Sequence, residues 1–311
     1  MKMFSDFKNE FNNSEVKNKW DFAKKAMEQY HLCLWDYARA IKETDISCIE
    51  IRDNRVGAEI GNVKLICREY DSRSMPMDIL NFNHYENTYM DMICKLLEAI
   101  DVSVMLDVGA NIGYTSCFLG KRFPKALLYA YEPIESTFKI LTSNVCLNSL
   151  ENIKCFNVGL SDENRSQKFY FYPWCTANTS LKNLQESGDA ILEECEIWRL
   201  DDRDEIKNIS VDYLKCDVEG NELNVLLGGK KIIKDNLPMI SIEILRKFSQ
   251  KFGYEANDVA KEILQYGYRM FIEKNEGVEE IYSITQETEE TNFIFLHRDK
   301  HKEVINKFVR K

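Results

Sequence analysis

Apolar residues recur every three or four positions across residues 5–45. Trp20, Ala23, Met27, Tyr30, Leu34, Tyr37 and Ile41 make one stripe, which predicts a long amphipathic helix. That stripe packs either on its own domain or on a second copy of the chain. Over 48–70 the period changes to two. Val63, Leu65 and Cys67 alternate with Lys64, Ile66 and Arg68, and Gly57 and Gly61 punctuate turns, so short strands are expected. The segment DSRSMPMD, 71–78, reads as a hinge.

From about residue 86 apolar runs alternate with helical patterns, the mark of an α/β fold with a parallel sheet. Strands are predicted near 103–108, 126–131, 153–158, 211–216 and 238–244, with helices near 112–122, 134–148 and 220–235. An antiparallel insertion is predicted over 167–200: KFYFY, a loop with Pro173 and Gly188, then CEIWRL. A helix near 256–266 precedes the strands GYRMFI and TNFIFLH. These two close the sheet as a hairpin, joined by a polar 274–290 linker. The basic tail HRDKHKEVINKFVRK reads as a solvated helix. Residues 1–80 are thus an N-terminal extension, and 81–311 the main domain.

Composition narrows the function. The chain has 311 residues, 44% of them hydrophobic and 30% charged, enough for one sizeable core plus an extra element. A net charge of −10 argues against a broad nucleic-acid surface. The start, MKMFSDFKNE, lacks the apolar segment of a signal peptide, and no run reaches membrane-spanning length. Ten cysteines stand as singletons without a C-x-x-C pair, which predicts neither zinc ribbon nor disulfide framework. Buried thiols in a reducing cytoplasm are expected.

The chemistry concentrates in SVMLDVGANIGYTSCFLG, 103–120. An apolar strand ends on Asp107, and a turn follows with Gly109 and Gly113 at its ends. A strand–turn–helix of this kind lets a cofactor approach free backbone N–H groups. The next strand ends in Glu132, where a ribose diol is usually held. The dinucleotide fingerprint wants a glycine where Asn111 stands, so that backbone can press on a pyrophosphate. A carboxylate at Asp107 repels a pyrophosphate but suits a cationic amine and sulfonium, as in S-adenosylmethionine. A second cluster, VDYLKCDVEGNELNVLLGG, 211–229, ends a buried strand on Asp217, with Glu219 and Gly220 next. The strand PMISIEI adds Glu243. These carboxylates all fall at the carboxyl ends of the strands, where doubly wound sheets bind ligands. Repulsion among them calls for a cationic ligand, a metal or a raised pKa.

In order, DVGANIG, YEPIESTFKILTSNVCLN, NVGLSD, DYLKCDVEGNELNVLLGG and LPMISIEI resemble the FkbM family of S-adenosylmethionine-dependent methyltransferases, from about residue 86 to 297. The resemblance implies a class I (Rossmann-like) methyltransferase sheet of seven strands, the last antiparallel, with helices on both faces. It also implies methylation of a hydroxyl on a sugar or polyketide-like compound. Carried over by position, Asp107, Gly109, Asn111 and Gly113 match the cofactor loop, with Ala110 inside it, and Glu132 matches the ribose acid, with Pro133 beside it. Tyr114 and Thr115 follow the loop and are expected to line the same pocket. Asn157–Asp162, including Ser161, falls at the adenine-side loop. Asn178, Thr179 and Ser180 match a short polar motif on the acceptor side. Asp217, Glu219 and Gly220 match the D-V-E-G signature. Tyr131 and Cys216 depart from the commoner Phe and small or aliphatic residue at those positions.

The expected chemistry is alignment of an acceptor oxygen with an activated methyl, helped by a base. Asp217 is the first candidate, with Glu219 beside it, and His84 the second, in HYE just before the main domain. No dedicated metal ligand set is assigned. Hard oxygen ligands at Asp217 and Glu243 leave a divalent cation, magnesium, as the lesser alternative. The expected function is an O-methyltransferase acting on a sugar, free or nucleotide-linked, in bacterial surface-glycan biosynthesis. A non-sugar small-molecule hydroxyl and a non-catalytic subunit that assembles through residues 1–45 are the alternatives, and a dehydrogenase a distant third. Expected partners are the small-molecule acceptor and, through the N-terminal helix, a second copy of the chain, with no nucleic acid.

Overall fold

The computed structural model describes residues 3–13, 18–83, 87–186, 188–274 and 277–309. The N-terminal pattern folds as three helices, α1 (Phe4–Asn12), α2 (Lys19–Ala26) and α3 (Leu32–Ala40), with a π-helical turn at Met27–His31. Phe7 and Phe11 of α1 stack on Phe22 of α2, at ring separations of 5.0 and 4.5 Å. The predicted stripe is therefore interrupted, and most of it faces solvent: Trp20, Met27, Leu34 and Tyr37 are all exposed. Three strands follow, β1 (Ile46–Arg52), β2 (Arg55–Ile60) and β3 (Val63–Ile66), in one antiparallel meander.

Residues 71–78 are not a loose hinge. Asp71, 2% exposed, accepts from Thr176 Oγ1 and from the Arg73 N–H, and α4 (Met75–Phe82) begins immediately afterwards. A buried carboxylate with these donors fixes the segment, which composition alone does not reveal. A helix that the strand-and-turn reading passes over, α5 (Asn87–Ala99), buries Met92, Ile93, Leu96 and Leu97.

The main domain then alternates as predicted: β4 (Val104–Val108), α6 (Tyr114–Arg122), β5 (Leu127–Tyr131), α7 (Glu135–Leu147) and β6 (Ile153–Phe156). The insertion is a small sheet of β7 (Gly159–Leu160), β8 (Arg165–Phe171) and β9 (Ile191–Trp198), with β8 and β9 antiparallel. The chain continues through β10 (Tyr213–Cys216), α8 (Glu222–Gly228), α9 (Lys230–Asn236), β11 (Met239–Glu243), α10 (Arg246–Lys251), α11 (Ala256–Leu264), β12 (Tyr268–Lys274), β13 (Gly277–Ile281), β14 (Asn292–His297) and α12 (Lys302–Phe308).

The large sheet runs β13-β12-β14-β11-β10-β4-β5-β6. Strands β11, β10, β4, β5 and β6 are parallel, and β14 is antiparallel to both its neighbours. This is a class I methyltransferase sheet with eight strands rather than seven. The eighth, β13, lies within the segment read as a polar linker, pairs antiparallel with β12, and meets Val309 through an isolated parallel bridge from Val278. Glu279 and Glu280 interrupt its apolar pattern, which hides the strand from a hydrophobicity reading.

Alternation along the strands sorts two cores. Val104, Leu106 and Val108 of β4 face Val225, Leu226 and Val259 on one side of the sheet. Met105 faces the other side, with Ile93, Cys117, Leu141, Val63 and Leu65. The N-terminal meander therefore shares a core with α5, α6 and α7. The tail is not fully solvated either: His301, Val304 and Ile305 are buried against that same face. All ten cysteines are free thiols, five of them buried. Among the described residues no helix is long and apolar enough to cross a membrane.

Candidate active site

The chain leaves β4 for β5 on one side and returns to β10 on the other, so the carboxyl ends of β4, β5 and β10 border the switch point of the sheet. Asp107 is the last but one residue of β4 and is 1% exposed. Ser116 Oγ of α6 donates to its Oδ2 at 2.5 Å, while Oδ1 has no hydrogen-bond partner and faces Lys215 Nζ at 3.7 Å. The following turn is held by the N–H groups of Gly109 and Ala110, which both donate to the Tyr131 carbonyl. Gly109 has φ +82°, and a Cβ there would lie 1.8 Å from the Asp217 carbonyl oxygen, so only glycine lets the two loops meet. Asn111 takes φ +49° and leaves its Oδ1 buried without a partner.

Glu132 follows β5 and is 6% exposed. Its two oxygens accept from the Asn111 N–H at 3.0 Å and the Ile134 N–H at 2.9 Å. Burial pushes its carboxyl up to about 7; the two backbone donors pull it down, and Glu193 and Asp107 push it further up. Asn157 braces the turn by donating to the carbonyls of Glu132 and Pro133.

Beyond β10, Asp217, Glu219 and β11's Glu243 bring carboxylate oxygens within 4.8 Å of one another. Glu219 is held at φ +55°, its carbonyl accepting from Ser180 Oγ at 2.7 Å. Its Oε2 is sealed from solvent without a partner. Burial drives the Glu219 carboxyl well above the usual carboxylate range; Asp217, Glu243 and Glu222 add to this, and Lys215 opposes it. Glu222, buried behind the turn, accepts from the N–H groups of Gly220 and Val218, and burial raises it to about 7. Lys215 Nζ stands 3.0 Å from Asp217 Oδ2 and already brings a positive charge to the cluster. Clustered acids alone do not make a metal site, and nothing else among the described residues supports a divalent cation here.

These groups border one cavity of about 580 Å³, within the range of small-molecule sites. Gly109, Ala110, Asn111, Tyr114, Thr115, Glu132 and Pro133 line it on one side, and Asp217, Glu219 and Glu243 on another. Asn178 and Thr179 also line it, and the Thr179 hydroxyl is buried without a partner. Three predicted cofactor residues are not on its wall. Asp107 and Gly113 lie beneath the loop. Ser161 is buried, its hydroxyl turned to Asp162, and Gly159 and Leu160 line the cavity in its place. His84 lies outside the described residues.

Several lining residues have no role that follows from the sequence motifs. Arg73, Met75 and Asp78 come from the supposed hinge, and Lys215, Gln185 and Lys247 complete the walls. For Lys215 a signal was present, because alternation along β10 puts it on the same face as Asp217. For Arg73 none was, since its placement depends on the long-range tie from Asp71 to Thr176.

The sequence profile of the methyltransferase FkbM domain matches residues 107–270, the stretch that supplies this cavity's loops. The chain belongs to this family. Among curated proteins, this FkbM-family chain is 28% identical over 170 residues to Methyltransferase 1 of Beauveria bassiana, covering 48% of the chain and 67% of that protein. It is 26% identical over 237 residues to the AMB antimetabolite synthetase AmbE of Pseudomonas aeruginosa, covering 63% of the chain and 11% of that much longer protein. Among solved structures it matches the methyltransferase FkbM from Methylobacillus flagellatus KT at 15% identity and a TM-score of 0.42, covering 63% of this chain and 43% of that one.

Proposed function

We propose that this protein transfers the methyl group of S-adenosylmethionine to a hydroxyl oxygen of a sugar, free or nucleotide-linked, in the building of a surface glycan. The observation that carries the reading is the convergence of the Gly109–Asn111 turn, Glu132 and Asp217, which follow three adjacent parallel strands, around one cavity. The orphaned Oδ1 of Asn111, a residue of the cavity wall, calls for a donor, and a cofactor with an ammonium group and an adenosine supplies one. The remaining lone pairs of Glu132 suit a ribose diol. A pyrophosphate would add negative charge to a rim already rich in carboxylates, which argues against a dinucleotide.

When bound, S-adenosylmethionine supplies an activated methyl group. Asp217 then accepts the proton of the acceptor hydroxyl as its oxygen is methylated. Thr179 Oγ1 and Glu219 Oε2, both buried without partners, hold neighbouring hydroxyls of the acceptor, which favours a polyhydroxylated molecule over an apolar one. His84 is the alternative base. In this reading residues 81–311 form the methyltransferase domain. Residues 1–80 form an extension that adds Arg73, Met75 and Asp78 to the acceptor wall and presents Trp20, Leu34 and Tyr37 to a second copy of the chain. The free thiols fit a reducing cytoplasm.

The test is thermal. With S-adenosylhomocysteine bound, a panel of sugars and nucleotide-linked sugars is screened for a further rise in melting temperature. A sugar that raises it and becomes methylated supports the reading. A response confined to non-sugar alcohols overturns the sugar assignment.

A further inference from the structure

Lys215 sits at the centre of the charged rim. It pairs in register with Asp107 of β4 on one side and Ser241 of β11 on the other. Its ammonium stands 3.0 Å from Asp217 Oδ2 and 3.7 Å from Asp107 Oδ1, and the side chain is only 17% exposed. It lines the main cavity and also a small polar chamber of about 30 Å³ behind it, bordered by Ser241, Glu243 and Asn292. The other cations on the main cavity are elsewhere engaged or outward: Arg73 is paired with Asp78 at 2.7 Å, and Lys247 is exposed. Among the described residues, Lys215 is thus the cation set against the carboxylates of the strand ends.

Its position matters because the two forms of the cofactor differ in charge. The methylated form carries a sulfonium cation and the demethylated form a neutral thioether, while both carry the same ammonium and carboxylate. With the ribose at Glu132, the sulfur end would face the neighbouring strand end that carries Lys215 and Asp217. We propose that Lys215 sets this protein's preference between methylated and demethylated cofactor, its fixed ammonium disfavouring the sulfonium and so favouring the neutral thioether. This inference rests on the cofactor reading above. It makes Lys215 a specificity-determining residue: it lowers the affinity for substrate cofactor relative to product, and it favours loss of charge from sulfur as the methyl departs. The carboxylates oppose it, so the preference is the balance of one held cation against Asp107, Asp217, Glu219 and Glu243.

The probes are S-adenosylmethionine and S-adenosylhomocysteine, titrated calorimetrically into the full chain without acceptor. Ligand ammonium and carboxylate effects are common to both and cancel in the ratio of the two Kd values. Lys215→Met is expected to shift that ratio toward S-adenosylmethionine by about tenfold, the order expected for removing a partly screened cation in a low-dielectric cleft. Lys215→Arg is expected to keep the wild-type ratio. Should Lys215→Met not fold, Lys215→Gln carries the same comparison. A ratio that moves less than twofold while both ligands still bind overturns the role of Lys215 alone. Failure of either ligand to bind the wild type overturns the cofactor reading first, and this inference with it.

Discussion

Replacing Glu132 by glutamine separates the cost of the site from its use. Burial raises the Glu132 carboxyl from 4.5 to about 7, so its ionised form in the folded, cofactor-free protein is disfavoured by about 3 kcal/mol. The sign follows from proton counting. Between pH 4.5 and about 7 the folded state keeps a proton that the unfolded chain has released, so wild-type stability falls as pH rises through this window and is level above it. Glu132→Gln cannot ionise and lacks this slope. Any fixed penalty from imperfect hydrogen bonds to the Asn111 and Ile134 N–H groups is the same at both ends of the window. Urea unfolding at pH 5 and pH 8.5 is therefore expected to show the variant gaining about 2–3 kcal/mol on wild type at the higher pH. Glu222 is raised similarly but is present in both proteins and cancels. In parallel, S-adenosylhomocysteine affinity should drop about ten- to hundredfold in the variant, from the loss of charged hydrogen bonds to the ribose. Wild-type affinity should strengthen as pH rises to about 7. A stability difference that is the same at both pH values would refute the electrostatic argument, and unchanged affinity would refute the ribose role.

Two further outcomes follow from the same geometry. Asp217→Asn is expected to reduce turnover by about 10²–10⁴ on the true acceptor while S-adenosylhomocysteine still binds, and a chelator should leave wild-type activity intact because Lys215 already meets Asp217; near-normal turnover of the variant removes the base role. Deleting residues 1–45 should turn a dimer into a monomer by light scattering, since Trp20, Leu34 and Tyr37 lie open on these helices; an unchanged number of copies refutes the interface.

The carboxyl edge of the sheet was legible because buried parallel strands read as unbroken apolar runs, and each run here ends in an acid: Asp107, Glu132, Asp217 or Glu243. Glycine spacing located the turns for a similar reason, since φ +82° at Gly109 is a local requirement. What stayed hidden depends on tertiary contact. The wall carrying Arg73 is set by long-range ties, Asp71 to Thr176, 105 positions away, and Ser72 to the Trp174 carbonyl. Strand β13 carries Glu279 and Glu280 and so shows no apolar run. The α12 tail reads as basic and exposed, yet Val304, Ile305 and Phe308 are apolar at helical spacing and join the core shared with α5. Helix α5 was legible in principle: Tyr89, Met92, Ile93, Leu96 and Leu97 follow a helical period. The N-terminal stripe shows the reverse, a clear pattern whose residues largely face solvent within one chain.

The central claim is that the cavity behind Asp107 and Glu132 holds S-adenosylmethionine rather than a dinucleotide. Calorimetric titration of the purified chain with S-adenosylhomocysteine, and separately with NAD, tests it most directly. The account predicts micromolar binding of S-adenosylhomocysteine, weakened by Glu132→Ala, and no heat with NAD. Tight NAD binding with no response to S-adenosylhomocysteine would contradict it.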